Sequence, residues 1–94
     1  MTTRFRIIRV CKGESMSAIP QDVARYDLEA SAIALKERGY EVDDKEVMLL
    51  AKKDGIEVTV YMNGRLMISP MKDREMAKNL AENLYSILVM EREE

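Results

Sequence analysis

Ile56-Glu57-Val58-Thr59-Val60-Tyr61-Met62-Asn63-Gly64-Arg65-Leu66-Met67-Ile68-Ser69-Pro70 carries the clearest period of two in the chain. Ile56, Val58, Val60 and Met62 fall in one phase, Glu57, Thr59 and Tyr61 in the other. Branched residues in that alternation predict a half-covered strand. Asn63-Gly64 predicts a type I′ hairpin with positive φ at both positions. Arg65 to Ser69 then returns as the partner strand, and Pro70 ends it.

Just before this hairpin, Asp54-Gly55 is a second turn signal, joining Ile56 to the strand Glu46 to Lys52 (EVMLLAK). Tyr40-Glu41-Val42 reads as a further short strand, with Asp43-Asp44-Lys45 as its turn. After Pro70, Asp73 is placed to cap a helix, with Glu75 in the positive first turn. Met76, Ala77, Leu80, Ala81, Leu84, Ile87 and Leu88 form one apolar stripe on that helix, opposite Lys78, Glu82, Asn83 and Ser86.

The first half is less regular. Arg4 to Cys11 (RFRIIRVC) predicts a strand whose alternation slips at Arg9, by a bulge near Ile7-Ile8 or by cover on both faces. Lys12 to Ile19 reads as a loop. Pro20 suits a first helical turn, so a helix is expected from Pro20 to Arg38, stopped by Gly39. It carries two apolar stripes: Val23, Tyr26, Ala30, Ile33 and Ala34, and then Ala24, Leu28, Ala32 and Leu35. The second stripe either packs on the closing helix or makes a subunit contact. The expected fold is α+β in a single domain spanning 1–94. It is a mostly antiparallel sheet of four or five strands with both helices packed on one face, in the order β-α-β-β-β(-β)-α.

The 94 residues include no histidine, which excludes imidazole-based triads, bases and zinc sites. One cysteine, Cys11, leaves no internal disulfide and no CxxC pair, which suits a reducing cytoplasm. Cys11 is either a small buried hydrophobe or a reactive thiol beside Lys12. A net charge of −2 gives no overall field for nucleic acid or an acidic membrane. The opening Met1-Thr2-Thr3-Arg4-Phe5-Arg6 reads as neither a signal peptide nor a span.

From Val58 to Ser69, followed by Met71-Lys72-Asp73, the chain resembles one repeat of the TATA-box-binding protein family. The shared pattern is an aliphatic strand with an aromatic, a small residue and Gly, a basic residue, a second aliphatic strand ending in a hydroxyl, then a lysine before the last helix. Asp27-Leu28-Glu29 and Ala34-Leu35-Lys36 resemble its crossover helix, and Arg4 to Lys12 its opening strand. The resemblance implies a curved meander closed by a long helix. That family binds DNA through two fused repeats whose phenylalanines wedge apart base steps. Here one repeat is present. Tyr61 stands at one wedge position and Asp44 or a neighbour at the other, where a carboxylate opposes DNA contact.

The remaining motifs are short. Asp43, Asp44 and Glu46 lack calcium-loop spacing and read as a solvated turn. Lys12-Gly13-Glu14-Ser15 lacks the spacing of a phosphate loop. Lys52, Lys53, Arg65 and Lys72 form a basic patch if the hairpin ends share a rim. Met48, Met62, Met76 and Met90 fit core positions, while Met67 and Met71 fall on or beside the open sheet face. Glu57 and Tyr61 share a strand face, an acid–base pair only if a pocket encloses them.

These readings favour a non-catalytic, cytoplasmic binding or assembly module, without cofactor or metal. Its expected contact residues on the open sheet face are Glu57, Thr59, Tyr61, Arg65, Met67 and Ser69, and its expected partner is a protein or a second copy. The alternatives are a nucleic-acid-binding homodimer that rebuilds the two-repeat saddle, and a small enzyme or cofactor-protein subunit.

Overall fold

The structure, a computed structural model, describes residues 4–9, 14–21 and 24–91. The expectations for Cys11, Lys12, Gly13 and Val23 lie outside these residues. The elements in chain order are β1 (Phe5–Arg9), β2 (Met16–Pro20), α1 (Leu28–Glu37), β3 (Glu41–Asp44), β4 (Met48–Lys53), β5 (Ile56–Tyr61), β6 (Leu66–Ser69) and α2 (Arg74–Ile87). All six strands join one antiparallel sheet in the order β1-β2-β6-β5-β4-β3. The class is α+β as expected, with six strands rather than four or five.

The additional strand is β2, in the segment read as a loop. Its serines and Pro20 look like turn residues in isolation, yet Met16 and Ala18 are core and the Ser17 hydroxyl donates to Leu66 O at 2.8 Å. Pro20 lies beyond the β2–β6 register, which ends at Ala18↔Leu66. Opposite β1, the Gln21 N–H donates to Arg4 O at 2.8 Å, so Pro20 falls in the wide pair with Phe5 and its missing N–H removes no ladder bond. Pro20 therefore ends a strand and starts no helix.

The helix begins eight residues later than Pro20, at Leu28, because Asp27 caps it. The Asp27 carboxylate accepts from Ala30 N at 3.0 Å. The stripe that had two possible destinations, Leu28, Ala32 and Leu35, is the buried one, whereas Ile33 of the other stripe is 57% exposed. β1 needs no bulge. Its five pairs with β2 run in unbroken register, with Ile7 in the core and Arg6 and Ile8 on the opposite face.

Asp54 and Gly55 take φ of +53° and +80°, as a type I′ link between β4 and β5 requires. The β5–β6 link differs from the expected two-residue turn. Gly64 N donates to Tyr61 O, and Tyr61 N to Arg65 O, both at 2.9 Å. That closes a three-residue loop, Met62-Asn63-Gly64, in which only Gly64 has positive φ. A Cβ on Gly64 would lie 2.5 Å from Cε1 of Tyr26, so close packing as well as φ requires glycine there.

The core lies between one sheet face and both helices. Two rows of sheet residues form its floor: Ile7, Ala18, Leu66, Val60 and Leu49 in one, and Met16, Ile68, Val58 and Ala51 in the other. Ala77, Ala81, Leu84, Ile87 and Leu88 of the expected closing stripe are buried over it, and Asp73 caps their helix through Glu75 N and Met76 N. Met76 departs from that stripe. It sits in the first turn, 55% exposed beside Ile56, Pro70 and Met71 at the rim. Met90 is also exposed and Met48 and Met62 half-buried, while Met16 and Met71 fill the core. Met71 is thus a core residue rather than one beside the open face.

Candidate functional site

Both helices cover the same side of the sheet, so among the described residues its other side is bare. Three rows of side chains cross that side, as the strand registers fix them. The middle row runs Ile8, Ser17, Met67, Thr59, Leu50, Asp43 from β1 to β3. One row nearer the β5–β6 loop stand Arg6 and Ile19, paired across β1 and β2, and Tyr61 and Met48, paired across β5 and β4. On the other flank, Ser69 pairs with Glu57, Glu57 with Lys52, and Lys52 with Glu41.

The six residues selected from sequence come together here. Glu57 faces Ser69, Thr59 faces Met67, and Tyr61 and Arg65 flank the β5–β6 loop; all six are half-buried. The Arg65 Nε donates to the Ser17 hydroxyl at 3.1 Å, which sets its guanidinium on this face and leaves Ser17 fully buried. Sequence reasoning missed Ile8, Ile19, Met48 and Leu50, which extend Tyr61 and Met67 into an apolar band across the sheet. Their signal was a period of two: Arg6/Ile8 against Ile7, and Met48/Leu50 against Leu49/Ala51. In β4 both phases are apolar, so the alternation carries no contrast.

Asp44, placed by the family resemblance near a wedge position, pairs with Leu49 and so belongs to the helix side of the sheet. Its carboxylate accepts from Glu46 N at 2.8 Å and shapes the β3–β4 turn, while Asp43 pairs with Lys45 at 3.0 Å. Among the described residues no group of three His, Cys, Asp or Glu side chains is arranged to hold a metal ion. No described helix is long and apolar enough to cross a membrane.

The basic patch does not assemble. Lys52 pairs with Glu57 at 3.5 Å, Lys72 with Glu14 at 3.1 Å, and Lys53 donates to Arg38 O at 2.9 Å while lying over the Tyr40 ring. Arg65 stands at the opposite end of β6 from Lys72. Nor do Glu57 and Tyr61 meet: four residues along a strand at about 3.3 Å each separate them by roughly 13 Å. A depression of about 740 Å³ opens at the rim beside Glu57, between Gly39, Lys52, Asp54, Gly55 and Pro70. Next to it, burial and then the Asp54 carboxylate hold the Tyr40 phenol above its ordinary range.

No family model matches the chain, and no curated protein or solved structure shows significant similarity to it.

Proposed function

We propose that the chain is a binding or assembly module, without catalytic chemistry of its own, that works through the open face of its sheet. One observation carries this reading. Ile8, Met67 and Leu50 in one row, with Ser17 and Thr59 among them, and Ile19, Tyr61 and Met48 in the next, with Arg65 among them, make a half-buried, mainly apolar band across the side of the sheet opposite the helices. A mainly apolar face with polar groups among and around it is a common form of contact site. Charge decides the class of partner. On this face Lys52 pairs with Glu57 and Lys45 with Asp43, while Arg4, Arg6 and Arg65 stand toward the loop end and Glu41 at the other. That mixture of signs suits a protein surface better than a run of phosphates. The resemblance to a TATA-box-binding repeat enters as shape alone. The run from β2 to α2 has the order strand, helix, four-stranded meander, helix, with β2 rather than Arg4 to Lys12 as the opening strand.

The test is Tyr61→Ala combined with Met67→Lys. Both side chains point away from Val58, Val60, Leu66 and Ile68, so the core keeps its contents. The melting temperature is expected to stay within about 4 °C of the parent, the scale of a surface change in a domain this size. Partner capture or self-association is expected to be lost. A double variant that unfolds, or that retains every interaction of the parent, refutes the reading.

A further inference from the structure

The bare face is polarised along its strands, and the polarity makes it complementary to itself. Arg6 and Arg65 stand toward the end with the β5–β6 loop, and Glu57 and Glu41 stand at the other end on either side of Lys52. The Met67, Thr59, Leu50 row lies between them. Consider a two-fold axis lying in the face and running across the strands through that middle row. It exchanges the two ends, so that Arg65 of each copy lies over the paired Ser69 and Glu57 of the other. An axis along the strands would instead keep the two loop ends together, setting Arg65 beside Tyr61 of the other copy and bringing it to no Glu57. Both orientations keep the two sets of strands aligned, as stacked sheets prefer, so the charges choose between them.

The geometry points to a homodimer formed face to face through the open sheet, with this axis. The inference rests on the open face being the working surface, and it names the occupant as a second copy of the chain. Both sheet edges turn away the competing arrangement, strand addition. On β1, the Arg74 guanidinium donates to Ile7 O at 2.7 Å and occupies the outer edge. On β3, the sequence Glu41-Val42-Asp43-Asp44 would oppose like charges in two copies. Among the described residues the face has no such guard.

Its size predicts a reversible complex. Six strands about 4.8 Å apart and about 17 Å long project to roughly 500 Å² per copy. That is short of the roughly 800 Å² per partner of a standard interface and within the range of weak, specific ones. The dissociation constant is expected to be on the order of micromolar.

Sedimentation equilibrium of the whole chain, from about 1 μM to about 1 mM, brackets that constant. The parent is expected to dimerise. Arg65→Glu or Glu57→Arg alone should weaken the dimer about 100-fold, two pairs at about tenfold each. The combined swap should bring it back to within about tenfold of the parent. Met67→Lys and Thr59→Arg in the middle row should each abolish it while the melting curve stays cooperative. These two variants carry the test should Arg65→Glu disturb Ser17. A parent monomeric throughout the range, or a charge swap without rescue, overturns the proposal. A monomeric parent whose capture of another protein is lost on Met67→Lys overturns the homodimer and leaves the open-face reading standing. A dimer indifferent to both middle-row variants overturns the two together.

Discussion

Gly64→Ala should be far more damaging than the same change at Gly55, although both glycines have similar φ, +90° and +80°. At Gly55 a Cβ meets nothing within 4 Å, so only the left-handed backbone is penalised, by about 1 kcal/mol. At Gly64 the same carbon would sit 2.5 Å from Tyr26 Cε1 and 3.1 Å from Pro20 Cγ. Tyr26 cannot simply swing aside. It is 1% exposed, its ring packs on Tyr85 at 6.3 Å, and its N–H donates to Met62 O at 2.8 Å. Forcing a close-packed site apart adds about 1–3 kcal/mol, for a total of about 2–4 kcal/mol at Gly64. In a domain this size that lowers the melting temperature by roughly 8–32 °C, against roughly 4–8 °C for Gly55→Ala. Thermal unfolding followed by circular dichroism, with urea titration at 25 °C to check the slope, measures both. Equal shifts for the two variants would show that Tyr26 does not rest on the hairpin tip, and the packing argument would fall.

Tyr85 sets the alkaline limit. Its hydroxyl donates to Gly64 O at 2.6 Å, and burial, then Tyr26, pushes its phenol far above the ordinary value of 10.0. The unfolded chain therefore releases this proton first. Stability is full below pH 10 and falls as pH rises beyond it, by about 1.4 kcal/mol per pH unit for this group. Tyr85→Phe should flatten that part of the pH–stability curve and cost about 1 kcal/mol at neutral pH; a parent curve flat between pH 9 and 11 counts against it. Arg74→Ala should cost about 1–2 kcal/mol and bare the outer edge of β1, raising light scattering on prolonged warming at a fixed interval below its own melting temperature. Scattering equal to the parent's would show that the edge is protected by other means.

The legibility of the fold followed the contrast between neighbouring residues. Ile56 to Ser69 alternates sharply, and its two faces emerge as read, because Val58 and Val60 enter the core while Thr59 and Tyr61 do not. Asp73 was legible as a cap because a helical stripe follows it at once. Asp27 carries the same chemistry, but it lies inside a run whose apolar spacing fits a helix from Pro20 onward, so the true start was masked. The type I′ reading of Asn63-Gly64 named the residue that needs positive φ and missed the loop length. Loop length depends on where Tyr61 and Arg65 pair, which is a property of the sheet and not of the dipeptide. The site was half legible for a related reason: the β5–β6 part could be read from one hairpin, whereas Ile8, Ile19, Met48 and Leu50 join it only through the strand order.

The segment after α2 returns to the start of α1. Asp27 N donates to Val89 O at 2.9 Å, Glu91 N to Arg25 O at 2.8 Å, and the buried Ser31 hydroxyl accepts from Val89 N at 2.9 Å. These bonds join residues about sixty positions apart, so none can form until the intervening meander has taken shape. Closure of such a long loop is entropically slow compared with a hairpin. During synthesis, then, the amino-terminal turn of α1 emerges early but waits for Val89 before its buried serine is satisfied. Once formed, the clasp makes the Asp27 and Val89 amides open together. Native-state hydrogen exchange should show the two with a common opening free energy, one unit of cooperativity drawn from two distant stretches of the chain.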